Sequence, residues 1–159
     1  MAELTAEEKR NLELIKGWAD AWDKDPERMV DKVYADAPEV FLPLQKIYDS
    51  RKGKSKANWR ALEVANHKLY KSRTIKFGTL IARGDTVAME ALTKVTDLKD
   101  RVFDVWFAAF LRFDKDGRVM SDHTYMLSNP QDPDKVHDPR IKKLLQDLNK
   151  TRQKVLADQ

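Results

Sequence analysis

The sequence predicts a single α+β domain in which N-terminal helices pack against a curved antiparallel sheet. Three observations predict it. Apolar residues recur at helical spacing through much of the first half, two-residue alternation dominates from Thr74 to Leu127, and tight-turn signals cut that second half into four successive strands. Helices gathered on one side of an antiparallel meander form a single layer interface. The sheet must curl to enclose a core, giving a cone-shaped barrel with a ligand-sized concavity.

The first helix is expected near Thr5, because Thr5 and Glu8 have capping-box spacing. Leu12, Leu14, Ile15, Trp18 and Trp22 then give it one apolar face. Asp25-Pro26 ends it, since a proline disfavours helical geometry in the residue before it. Pro26 itself suits the first turn of a second helix, with Met29, Val30, Val33 and Tyr34 on one side. A short strand is expected at Glu39–Pro43 and a loop from Gln45 to Lys54 containing Ile47 and Tyr48. A third helix follows from about Ser55, with Trp59, Leu62, Val64 and Ala65 available to face inward, and fades near Tyr70.

Strands are expected at Thr74–Arg83, Thr86–Thr96, Val102–Phe113 and Val119–Leu127. The turns between them are Gly84-Asp85, the polar Leu98–Arg101, and Asp114-Lys-Asp-Gly117, whose glycine suits a positive φ. A Pro- and Asp-rich linker from Asn129 to Pro139 leads to an amphipathic helix from about Arg140. Residues 1–128 are read as the domain, and 129–159 as a linker and extra C-terminal helix packing on it.

Composition narrows the function. The chain has 159 residues, 42% apolar and 35% charged, enough for one real core with charged helix faces. It has no cysteine, which excludes thiol nucleophiles and zinc-thiolate sites. The N-terminus is acidic where a leader would be basic and then apolar, and no apolar run approaches the roughly 18 residues of a membrane span. A cytoplasmic location is expected. The net charge of +4 reflects basic clusters at Arg51–Lys56, at Lys68–Lys76 and in the C-terminal helix. They read as solvated surface, so neither nucleic acid nor membrane is expected as a partner. Serine-nucleophile motifs, phosphate-cradling loops and dinucleotide fingerprints are absent from the sequence. His67, His123 and His137 are too unlike in context to make a three-histidine metal site. No metal and no cofactor is expected.

Trp18-Ala-Asp-Ala-Trp-Asp-Lys-Asp25, Val33-Tyr-Ala-Asp36, Pro43, Gly84-Asp-Thr-Val-Ala-Met-Glu90, Phe110–Val119 and Asp122-His-Thr-Tyr125 occur in an order that resembles the SnoaL-like branch of the nuclear-transport-factor-two-like superfamily. The resemblance covers roughly residues 8–128. It implies the ketosteroid-isomerase-like cone fold, and relatives that include isomerases, polyketide cyclases, epoxide hydrolases, dehydratases and non-catalytic binding domains. The known catalytic sets are mostly missing. The isomerase base would fall at Leu42 and its hydroxyl donor at Trp18. The epoxide-hydrolase positions correspond to Ala91, Thr93 and Thr124. Ordinary ketosteroid isomerase and limonene-type epoxide hydrolase chemistry are therefore disfavoured.

On the last strand Asp122 and Thr124 share one face, and His123 and Tyr125 the other. The resemblance puts Asp122 toward the concavity, where desolvation would raise its pKa and suit it to acid/base work. His123 would turn inward only if a one-residue bulge exchanged the faces. Tyr48 is a further candidate, as a hydrogen-bond donor at the pocket mouth, and Asp104 beside Trp106 is a weaker one. Trp18, Trp22, Trp59, Met89, Thr93, Phe107 and Thr124 are expected to contact substrate, with Thr93 or Thr124 orienting an oxygen. Together they suit a cofactor-independent acid/base enzyme of lyase, isomerase or cyclase type on a small apolar substrate. The alternative is a non-catalytic small-molecule-binding or dimerisation domain. Outer-face aromatics, notably Trp106 and Phe110, predict a homodimer through the sheet.

Overall fold

Thr5 opens the first helix as its spacing requires. Its hydroxyl accepts from the Glu8 amide and the Glu8 carboxylate accepts from the Thr5 amide, so two otherwise orphaned donors are satisfied. The helix that follows, α1 (Ala6–Lys24), buries Asn11, Ile15 and Trp18 and ends at Asp25, whose carboxylate caps α2 (Pro26–Val33). The computed structural model describes residues 3–42, 47–49 and 55–127. The expected linker and C-terminal helix at 129–159 lie outside them.

Six strands form one sheet: β1 (Tyr34–Leu42), β2 (Ile47–Asp49), β3 (Tyr70–Arg83), β4 (Thr86–Asp97), β5 (Val102–Phe113) and β6 (Val119–Leu127), in the order β2-β1-β6-β5-β4-β3. Strands β3 to β6 are the expected antiparallel meander. The helix between β2 and β3, α3 (Ser55–His67), packs on α2 and β1.

The first strand departs from expectation. It starts at Tyr34, directly out of α2, rather than at Glu39. It runs parallel to β6, so the first and last strands of the described domain are neighbours. Pro38 lacks an N–H to donate and sits where that ladder shifts register, between Tyr34 and Glu39. Ile47–Asp49 is not loop but a short strand, with Tyr48 opposite Phe41, because the free edge of β1 offers backbone groups that need partners.

Alternation sorts the meander cleanly. Odd residues of β4 and β5 are mostly buried, among them Val87, Met89, Ala91, Phe107, Ala109 and Leu111, while the even residues face out. The buried set meets Ile15, Trp18, Met29, Val30, Tyr34, Trp59 and Leu62 in one core. Among the described residues no helix is long and apolar enough to cross a membrane.

Candidate functional site

The geometry of β6 decides which of its side chains can do chemistry. Val119 pairs with the inward-facing Phe113, yet Ser121 pairs with the outward-facing Arg112. One extra residue is therefore accommodated between them, and this bulge exchanges the faces for the rest of the strand. Asp122 and Thr124 consequently oppose the buried Leu111 and Ala109. Without the bulge, the alternation that buries Val119 would have turned His123 inward. A face exchange does occur, but contrary to the expectation that a bulge would bring His123 inside, it is what turns Asp122 inward.

Asp122 is 3% exposed. Its Oδ2 accepts from the Tyr34 hydroxyl at 2.6 Å and its Oδ1 from the Thr124 hydroxyl at 2.7 Å. Burial pushes its pKa up, and the negative charge of Glu63 adds to the rise. The two hydroxyl donors and the neighbouring His123 pull the other way without cancelling it. Tyr34 is fully buried, and burial together with the Asp122 charge holds its phenol well above its ordinary range. The pair is thus a carboxyl group poised to take or give a proton and a phenol locked as the protonated partner.

Tyr34 reaches this place because it is both the C-cap of α2 and the first residue of β1. Trp59 meets it edge-on, with ring centroids 6.0 Å apart. The Trp59 indole slightly favours the ionised form of the phenol, yet its buried N–H has no hydrogen-bond partner. Trp18, stacked on Trp22 at 6.3 Å, likewise buries an indole N–H with no acceptor. An unpaired buried donor costs about 1–3 kcal/mol, so each is a group that a ligand oxygen could satisfy.

Two buried charges complete the interior. Glu63 accepts from the Trp22 indole at 2.8 Å and lies 3.0 Å from Arg73. Neither was expected here. The inward face of α3 is Trp59, Leu62, Glu63 and Asn66, whereas Val64 and Ala65 are only half-buried. Their i, i+3, i+4, i+7 spacing was the available signal, obscured by the charge of Glu63. Arg73 read as part of a solvated basic run, but it is 1% exposed.

The other expected residues divide plainly. Trp18, Trp59, Met89, Thr93 and Phe107 are buried on the inner side, and Trp22 is half-buried against them. His123 lies on the outer face, 5.3 Å from the Phe41 ring and 3.6 Å from a Glu39 carboxylate oxygen. It is not brought to Asp122's interior partners. Asp104 is exposed on the outer face opposite Lys94, away from the interior. The side chain of Tyr48 lies outside the described residues. No cluster of three or more metal-ligating side chains occurs among the described residues.

No family model and no curated protein matches the chain. Solved structures do. A protein assigned to the SnoaL-like polyketide cyclases from Jannaschia sp. CCS1 superposes with TM-score 0.61 at 11% identity, covering 79% of this chain and 91% of its own. A protein of unknown function with the nuclear-transport-factor-two-like fold, from Burkholderia pseudomallei K96243, gives TM-score 0.61 at 14% identity, with coverages of 86% and 97%. An M. tuberculosis epoxide hydrolase of the limonene type gives 0.59 at 15% identity, with 76% and 84%. The chain thus has the curved-sheet cone fold of the SnoaL-like and ketosteroid-isomerase-like proteins, and the likeness at these identities is one of fold.

Proposed function

We propose that the protein is a cytoplasmic, cofactor-independent enzyme that performs acid/base chemistry on a small apolar substrate held between sheet and helices. Lyase, isomerase or cyclase chemistry next to a carbonyl or hydroxyl fits best. Asp122 is the general acid or base, and the observation that carries the reading is its burial with, among the described residues, two hydroxyl donors on its oxygens. A carboxyl raised by desolvation exchanges protons nearer neutral pH than an exposed one. Tyr34 and Thr124 fix the orientation of the carboxyl. The indole N–H groups of Trp18 and Trp59 supply donors for a substrate oxygen. The fold alone does not select a reaction, because one fold hosts many chemistries.

The test is a ligand screen of flat apolar carbonyl and hydroxyl compounds by thermal shift, on wild type and Asp122→Asn across pH. A compound that stabilises wild type with a titrating midpoint, and loses that pH dependence in the variant, supports the reading. Equal responses from both proteins would leave a non-catalytic binding domain of the same fold. We also propose that a second copy covers the outer face. Ile81, Ala88, Phe110, His123 and Phe41 lie in register across five strands there, with Ile81 and Phe110 58% and 52% exposed. A monomer in sedimentation at micromolar concentration would remove the dimer and leave the enzyme reading untouched.

A further inference from the structure

Glu63 and Arg73 form the one ion pair among the described residues with both side chains less than a tenth exposed, at 5% and 2%. The pair is built with care. Arg73 donates from Nε and Nη2 to the Trp22 carbonyl at 3.2 and 2.7 Å, and its guanidinium carbon lies 3.8 Å from the centre of the Trp22 ring. The Trp22 indole N–H in turn goes to Glu63, and the Arg73 amide donates to Asp23 at 2.6 Å. Taking two charges out of water is costly, and such a pair often stabilises a fold no better than apolar residues of the same volume. Stability alone is a poor reason for it.

Its position supplies a better one. Glu63 follows Trp59 by one turn on the buried face of α3, Trp59 stands edge-on to Tyr34, and the Tyr34 hydroxyl ends on Asp122. Asp122, Tyr34 and Glu63 are thus three buried acidic groups linked through Trp59, and Arg73, the one buried cation among the described residues, is paired with Glu63. We propose that Arg73 is a positioning residue: by pinning and neutralising Glu63, it keeps a second unpaired negative charge away from Asp122 and Tyr34. Four groups from three elements act on Asp122: Tyr34 from β1, Glu63 from α3, and Thr124 and His123 from its own strand. Glu63 alone among them adds to the rise caused by burial, and it raises the Tyr34 phenol as well. Arg73 works on Asp122 only through Glu63.

The role given to Arg73 serves the acid/base reading of Asp122, yet its measurement needs no substrate. The Asp122 carboxyl 13C resonance is titrated in wild type, Glu63→Gln, Arg73→Gln and the double variant. Removing the negative charge should lower the Asp122 midpoint, removing the positive charge should leave the Glu63 charge unopposed and raise it, and the double variant should match Glu63→Gln, because Arg73 acts only through Glu63. Each single shift should be on the order of one pH unit or less, the scale of one charge acting across a protein interior at an effective dielectric near 20. A purely structural pair would give two destabilised variants whose midpoints moved together or not at all, and either result overturns the proposal. If Arg73→Gln fails to fold, Glu63→Gln still decides, because its midpoint must fall. An ordered series of midpoints in a protein whose ligand response ignores Asp122→Asn would sink the acid/base reading and leave the electrostatic one standing.

Discussion

The molecule places carboxylates in two kinds of shelter, and the contrast explains why their pKa values move in opposite directions. At the β4–β5 and β5–β6 hairpins, Asp97 and Asp114 each face an arginine four residues on. Asp97 accepts from the Lys99 and Arg101 amides at 2.8 and 3.0 Å and from Arg101 Nε at 2.7 Å. Asp114 repeats the pattern with Asp116, Arg118 and the Arg118 Nε at 2.9, 2.9 and 3.2 Å. Burial would raise both pKa values, but the amides and guanidinium reverse it and hold both below 3.8. Asp122 is sheltered as well, but its donors are two hydroxyls with no formal charge, and burial wins. A buried carboxylate keeps a raised pKa through what is withheld from it: backbone amides and a cation of its own.

The largest expected break in this contrast is Tyr34→Phe. It removes one of Asp122's two donors and leaves a buried oxygen unpaired, at a cost of about 1–3 kcal/mol. The Tyr34 hydrogen bond favours the ionised carboxyl, so its loss should raise the Asp122 midpoint further. Denaturant unfolding and the carboxyl titration measure the two effects. A variant with unchanged stability and midpoint would mean that the 2.6 Å contact does not hold the site.

Opposite pH signatures sharpen the comparison. The folded pKa of Asp122 lies above its ordinary 3.8, so the stability it contributes is present below 3.8 and is lost as pH rises through the folded value. Asp122→Asn should therefore gain melting temperature relative to wild type as pH climbs through that range. Asp114 has the reverse sign: its contribution is present above 3.8 and is lost as pH falls through its lowered value. Asp114→Asn should be less stable than wild type at neutral pH by about 1 kcal/mol, with the deficit closing in acid. Parallel pH profiles for the two variants would contradict the division between the two shelters.

The turns and the interior also differ in how far the residues announced them. Both hairpins are local, and the Asp114–Gly117 turn could be read from its glycine alone. The inward face of Asp122 followed from alternation and the family resemblance. The reason for it, a bulge between Val119 and Ser121, leaves no mark in the sequence. The partners of Asp122 were missed because they are distant: Tyr34 lies 88 residues away, and its tyrosine looked like one more apolar residue on α2. Arg73 was hidden among lysines that really are exposed, such as Lys71 and Lys76. Its burial depends on Trp22, which is 51 residues earlier. Local chemistry was legible, whereas buried polar networks are assembled by topology and were not.

The smallest effect lies within the turns themselves. They share one backbone pattern, with the fourth residue at positive φ: Asp100 at 59° and Gly117 at 79°. The backbone bonds also correspond, Asp97 N to Arg101 O and Asp100 N to Asp97 O in one, Asp114 N to Arg118 O and Gly117 N to Asp114 O in the other. A side chain in the left-handed region is strained, and aspartate tolerates it better than most. Asp100→Gly should relieve that strain by up to about 1 kcal/mol. It also gives up the Lys71–Asp100 ion pair, whose exposure of 46% and 74% makes it worth little. A rise in melting temperature of about 0–4 °C is expected, with the Asp122 midpoint unmoved. A clear fall would show that the exposed ion pair, and not the backbone, sets the strength of this turn. The two hairpins would then be alike in geometry but held by different forces.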